Sequence, residues 1–308
     1  MPNYNHARFL PVSLGAVRRQ NVPADEVLVL DDGSTDNSRE VLAELAAGWP
    51  QLKVVHNESN LGVNATMNRG LELATGDYVA FIAADDEVLP VWLERSLPQL
   101  EQHPGTGLVC GLVEWRCQAT GMRWQQGVRM PARSGYFSPA EMIQLGRRGV
   151  LQIAGQHALY KRSALVEAGG WRPELHWCSD WFGGYTVGFR HGMCHVFEVL
   201  SVFNLSATSY FNTSESPQQR QETMERILNL LESDRYADVA QPIAASGTLG
   251  GFGWPMLRLV AGRHRRFLAW SFLRQVARRV AEGFGRRFFP QWFSAFCLRL
   301  FYLRRKVC

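Results

Sequence analysis

The sequence predicts an α/β protein, a mainly parallel sheet flanked by helices and followed by a helical, basic C-terminal segment. Three observations lead there. Over the first 115 residues, short apolar runs alternate with stretches of helical periodicity, the pattern of βαβ units. Two of the apolar runs end in clusters of acids, Asp31-Asp32 and Asp85-Asp86-Glu87. Charge then divides the chain. From Arg258 to Cys308 there are 13 Lys and Arg against the single acid Glu282, while the preceding 257 residues carry 20 basic and 27 acidic side chains.

The elements follow in order. Ala7 to Gln20 has helical periodicity, and Glu26 to Leu30 reads as a buried strand ending in an acidic turn. Asn37 to Ala47 is a helix and Lys53 to His56 a strand. Val63 to Ala74 is again helical, Tyr78 to Ala83 a strand, Pro90 to Gln102 a helix and Gly107 to Val113 a strand. The chain opens with Met-Pro-Asn-Tyr-Asn directly before the first helix, so the expected sheet lacks a strand at its start. That leads to the expectation that the natural chain begins upstream of Met1. The opening residues are polar, with no apolar core of a signal peptide behind them, which predicts a cytoplasmic body.

An apolar fraction of 46% supplies a core and excludes bulk disorder. The six cysteines are scattered, with no C-x-x-C pair and no zinc-finger spacing, as suits a reducing compartment. Gly247 to Gly253 follows no strand and has no P-loop lysine; it reads as a linker ahead of the basic tail.

Ligands of such sheets collect beyond the carboxyl ends of the strands, where the acids sit. In Asp31-Asp32-Gly33-Ser34-Thr35-Asp36, a turn and helix cap account for Gly33, Ser34 and Asp36 but leave the first two acids idle. Asp32 is therefore a candidate to accept hydrogen bonds from a nucleotide base or ribose. Asp85-Asp86-Glu87 offers carboxylate oxygens to a hard cation, Mg2+ or Mn2+, which takes one or two carboxylates plus substrate phosphates. A plain acidic helix start would not explain why a second strand of the same sheet also ends in acids. Asp180, set among Trp177, Trp181 and Phe182, is partly desolvated, so its pKa should rise into the range of a general base. Glu174 is the alternative base. Of the nearby histidines, His157 is the one expected to face an acceptor, and Trp177 and Trp181 are expected either to stack on sugar faces or to fill the core.

In combination these motifs resemble family 2 glycosyltransferases of the GT-A fold, a Rossmann-like fold. The matching residues are Pro2-Asn3-Tyr4-Asn5, Asp31 to Asp36, Asn60-Leu61-Gly62, Asn68-Arg69-Gly70, Gly76-Asp77-Tyr78, Asp85-Asp86, Gly169-Gly170-Trp171 and Ser179-Asp180-Trp181, over roughly residues 1 to 205. The resemblance implies that Tyr4 and Asp32 hold a nucleotide base and that Asp86 binds the metal bridging a diphosphate. It implies donor contacts from Pro2, Asp31, Asn60, Gly62, Asn68 and Asp85 as well, and an inverting displacement with Asp180 as base. Many relatives carry a further Asp where Ala83 stands here.

The expected organisation is a nucleotide-sugar-binding half over 1–105, an acceptor and catalytic half over 106–210, a helix and Gly-rich linker over 211–256, and an amphipathic tail over 257–308. In the tail, Arg263 to Arg266, Arg278-Arg279, Arg286-Arg287 and Arg304 to Lys306 alternate with aromatic residues, which suits an anionic membrane surface. Phe288 to Leu303, with Pro290 and Arg299, is too short to span one. Nucleic acid is not the expected partner, since the acidic strand ends would repel phosphates without a metal. The expected partners are a nucleotide-sugar donor, a glycan or lipid-linked acceptor, and the inner face of the membrane. Two other readings fit the same acids: a sugar-phosphate nucleotidyltransferase, and a non-catalytic protein that only binds a nucleotide sugar.

Overall fold

A computed structural model of the protein describes residues 1–126, 131–155, 157–205 and 216–288. It contains an α/β body whose sheet falls into two parts. The first is parallel, in the order β1 (Pro2–Asn3), β2 (Val27–Asp31), β3 (Leu52–His56), with Asn3 beside Asp31 and Asp31 beside His56. Both neighbours of β2 are parallel, and four of its five residues are buried, as a continuous Val/Leu run requires. The helices α1 (Leu10–Arg18), α2 (Ser38–Ala46) and α3 (Val63–Leu73) connect and flank these strands.

The short strand Pro2–Asn3 corrects the expectation that none precedes the first helix. It is held by the Leu30 N–H donating to the Met1 carbonyl and the Asp32 N–H to that of Asn3. A cleft of about 400 Å3 lies between the two parts of the sheet, lined among others by Met1, Leu28, Leu30, Val79, Ile82 and Leu159.

The second part is mixed, in the order β4 (Tyr78–Ala80), β9 (Leu159–Lys161), β6 (Leu108–Cys117), β10 (Met193–Leu205), β5 (Glu87–Val88). The pair β6–β10 is parallel along its length, and the other pairs are antiparallel, including β7 (Arg123–Gln126) on β6 and β8 (Gly135–Phe137) on β10. Helices α4 (Trp92–Gln102), α5 (Pro139–Arg148), α6 (Arg162–Glu167) and α7 (Ser179–His191) cover it. Local chemistry sets the bounds of α5: Ser138 and Glu141 form a capping box, and Gly149 ends the helix at φ 73°.

The C-terminal helices are α8 (Pro217–Glu232), α9 (Ala237–Ser246), α10 (Trp254–Gly262) and α11 (Trp270–Phe288). They are part of the main core: Ile227, Leu231, Tyr236, Ile243, Phe267 and Phe272 pack in one cluster with Tyr160, Trp171 and Phe182. Each such buried side chain contributes roughly 1.5–3 kcal/mol, so the segment is integral to the fold. The cluster runs across residue 257, where the expected tail begins. The Gly-rich stretch is likewise no free linker. A Cβ on Gly247 would meet the Ser271 backbone at 2.5 Å, and one on Gly250 the Gln275 Cβ at 2.5 Å, so glycine is what lets α11 approach. The tail beyond residue 288 lies outside the described residues.

Candidate active site

The β2 terminus forms a tight polar knot. Asp31 is fully buried and accepts from the Asn3 amide at 3.0 Å, with the His56 ring at 3.2 Å and Arg39 at 3.6 Å. Burial alone would raise its carboxyl, but hydrogen bonds from Ser34, His56 and Asn3 bring it below the ordinary value. Asp32, also buried, accepts from the Asn57 amide at 2.6 Å and from the backbone N–H groups of Leu61 at 2.9 Å and Gly62 at 3.0 Å. Asn57 in turn donates to Thr66 and accepts from Arg69. The carboxylate thus clamps the loop that begins α3. Gly33 lies beneath it at φ 73°, where a Cβ would meet the Ser59 backbone at 2.8 Å.

Around this knot, Pro2 is half-buried in β1 and Tyr4 is 44% exposed, its ring open to solvent. Asn60 is exposed and accepts from the Gly62 N–H. Asn68 joins α3 to the loop after α6, donating to the Trp171 carbonyl at 2.6 Å and accepting from the Trp171 N–H at 2.8 Å. One turn earlier, Asn64 donates to the carbonyl of His176, four residues before Asp180. Helix α3 therefore ties the β2 terminus to the segment that carries the candidate base.

The second acidic cluster sits in the irregular stretch after β4. Asp85 is half-buried, and its carbonyl accepts from the Asn204 side chain. Asp86 is 1% exposed: Oδ1 accepts from the Asn204 N–H at 2.8 Å, while Oδ2 makes no hydrogen bond and faces the His157 Nε2 at 3.5 Å. Burial, reinforced by the charge of Asp85, pushes Asp86 well above the usual carboxylate range, and Glu87 adds to it. Burial also lowers His157 to about 4. The imidazole is thus enclosed beside Asp86, not open towards an acceptor as expected from the sequence.

Asp180 occupies the first turn of α7 and is partly exposed. Its Oδ1 accepts from the Trp181 N–H at 2.7 Å, and burial raises its pKa to about 6. Gly155 packs against it, so closely that a Cβ there would lie 3.4 Å from Oδ2. Gly155 and His157 are two residues apart, a span of at most about 7 Å. Gly155 thus lies beside Asp180, and His157, close to it in the chain, faces Asp86. The alternative base, Glu174, is paired with Arg172 at 2.6 Å. Trp177 and Trp181 are half-buried and set their rings against Phe252 in the turn after α9.

Three polar residues of this site escaped the sequence reading: Asn57, Arg69 as a partner of Asn57, and Asn204. Each bonds a residue far away in the chain, and no local spacing announces such a contact. Asn204 holds Asp86 from β10.

Among the described residues no group of three His, Cys, Asp or Glu side chains is placed to hold a metal ion by itself. The residues present nonetheless fit a cation shared with a substrate. The orphaned Asp86 Oδ2 and the unpartnered nitrogens of His157 are buried donors without a protein partner, and a positive ion would relieve the crowding of three acids.

Comparison with known proteins gives consistent matches. The profile of the family described as Glycosyl transferase family 2 matches residues 1–169. An uncharacterized glycosyltransferase of Escherichia coli K12, YibD, is 34% identical over 147 residues, covering 47% of this chain and 42% of the relative. A PGL/p-HBAD biosynthesis glycosyltransferase of Mycobacterium bovis is 33% identical over 125 residues, covering 40% of this chain and 48% of the relative. The chain thus spans less than half the length of these two curated relatives. Among solved structures, Staphylococcus aureus TarS 1-349 with UDP-GlcNAc superposes with a TM-score of 0.64 at 17% identity, covering 90% of this chain and 77% of TarS 1-349, a likeness of fold.

Proposed function

The chain belongs to glycosyl transferase family 2, and from that premise we propose that it transfers a sugar, with inversion, from a nucleotide-diphosphate donor to a hydroxyl acceptor. The observation that carries this reading is that Gly155 lies beside the candidate base Asp180 while His157, two positions on, faces the cation-side carboxylate Asp86. A displacement needs both ends at once, a base for the incoming hydroxyl and charge stabilisation for the departing diphosphate.

Tyr4, exposed at the lip of the β2 terminus, stacks on the base of the donor. Asp31 and Asp32 keep the β1–β2 edge and the Asn60–Gly62 loop in the shape that receives the nucleotide. Pro2, Asn60, Gly62, Asn68 and Asp85 line or brace the same end of the sheet. Asp86 would hold a Mn2+ or Mg2+ ion, which when bound offsets the charge of the diphosphate. The free Oδ2 of Asp180 takes the proton of the acceptor hydroxyl as that oxygen attacks the anomeric carbon. Trp177 and Trp181 form the wall on the acceptor side.

The acceptor is a glycan or lipid-linked precursor presented at the cytoplasmic face of a membrane, in cell-surface polysaccharide or glycolipid assembly. In support, Trp270 is 80% exposed on α11 beside Arg274, and no helix among the described residues is long and apolar enough to cross a membrane.

The test is Asp180→Asn. Transfer should fall by at least about a thousandfold while the donor binds within about twofold of wild type. Retained turnover would place the base elsewhere.

A further inference from the structure

We infer that His157 is itself a ligand of the cation, so that Asp86 Oδ2 and His157 Nε2 together form the protein's share of the metal site. The assignment rests on the cation-dependent reading above and adds to it a nitrogen donor.

Four observations converge on His157. Both partners are almost fully buried, Asp86 at 1% and His157 at 4% exposure, yet neither Asp86 Oδ2 nor either imidazole nitrogen has a hydrogen-bond partner. Buried polar atoms usually find a partner, and a cation bound beside both atoms would supply one. The separation fits one. Ligands about 2.1 Å from a common ion lie about 3.0 Å apart at a right angle and about 3.4 Å apart at a tetrahedral angle. The observed spacing is 3.5 Å, outside the range of a good N–H···O bond.

The main chain at His157 is also strained and fixed. Its φ is 67°, in the left-handed region that a non-glycine residue rarely enters. Its N–H donates to the Phe81 carbonyl, and its own carbonyl accepts from the Trp92 indole at 3.0 Å. Hydrogen bonds on both sides hold the main chain in this conformation, in which Nε2 faces Asp86 Oδ2. Finally, the acids nearby do not fill the site: Glu87 pairs with Arg116 at 3.1 Å, and Ala83 offers no side-chain oxygen. A nitrogen ligand favours Mn2+ over Mg2+ in this set, because imidazole suits the softer ion.

The experiment is pulsed electron paramagnetic resonance on the full chain loaded with Mn2+ and inorganic pyrophosphate, a co-ligand without nitrogen. The expected result is a nuclear modulation from a directly bound 14N that changes when the histidines carry 15N. It should disappear in His157→Asn, a substitution that tolerates the positive φ, with Mn2+ affinity reduced at least about tenfold. Protein-bound Mn2+ without nitrogen modulation, or with modulation unchanged in His157→Asn, would overturn the assignment and leave the role of Asp86 standing. Absence of any bound Mn2+ would overturn both, while the role of Asp180 would still be judged by its own variant.

Discussion

At the residue scale, the site separates three carboxylates by environment. Asp31 is buried but bonded by three donors, and stays below the ordinary carboxylate range. Asp86 is buried beside Asp85 with one oxygen unbonded, and is pushed well above it. Asp180 is raised by burial to about 6, against the pull of backbone N–H groups from Trp181 and from Asp180 itself. Asp180 is thereby poised to exchange a proton near neutrality. The sign of the pH dependence follows. A base works when deprotonated, so transfer should be full above pH about 7 and fall roughly tenfold per unit below pH about 6. A rate profile at saturating donor checks this. An acid limb centred near 4 would point to an ordinary solvated carboxylate as the base.

At the element scale, what could be read in the sequence was what local periodicity encodes. Helices α1 to α4 and strands β2 and β3 fall within a few residues of their expected bounds, because an alternating or 3.6-residue pattern is a property of the segment alone. Strand β4 stops at Ala80, short of the apolar run to Ala83, because the Phe81 carbonyl accepts from His157 and that of Ala83 from Asp86. Strand β6 runs on past Val113 through Glu114, Trp115 and Arg116, where β7 pairs with it. The Gly-rich stretch Gly247 to Gly253 was misread for the same reason: glycine as a close-packing residue looks like glycine as a linker until α11 is in place. The positions of the acids at the strand ends were legible; what holds each acid was not.

The same helices present a surface with its own consequence. Arg148 at the end of α5 and Arg274 and Arg278 on α11 line a cavity of about 200 Å3, and Trp270 and Leu268 are exposed at the start of α11. Arginines beside an exposed indole match the headgroup region of an anionic bilayer. Arg148→Gln with Arg274→Gln removes two charges worth about 1 kcal/mol each at such a surface, so flotation with phosphatidylglycerol vesicles should weaken roughly thirtyfold. Equal flotation of variant and wild type would remove this face from membrane binding.

At the scale of the whole molecule, the proposed site draws on acids more than fifty residues apart in sequence. Asp31 and Asp32 end β2, Asp85 and Asp86 follow β4, and Asp180 starts α7. Helix α3 fastens the first pair to the Trp171–Asp180 segment through Asn64 and Asn68, and Gly155, before β9, lies beside Asp180. The C-terminal helices back this assembly: Tyr236 donates to the Ala168 carbonyl, and Asp238 accepts twice from Arg190 of α7. Cutting the chain before α8 would therefore strip apolar cover from Tyr160, Trp171 and Phe182.

The central claim is that these acids form one pocket in which a cation and a nucleoside diphosphate bind together. Calorimetric titration of the full chain with UDP, GDP, dTDP, CDP and ADP, each with and without Mn2+, tests it most directly. At least one nucleotide should bind at least about tenfold more tightly with Mn2+, and Asp86→Asn should abolish the difference. Nucleotide binding indifferent to Mn2+ in the wild type, or no binding by any of the five, would contradict the account.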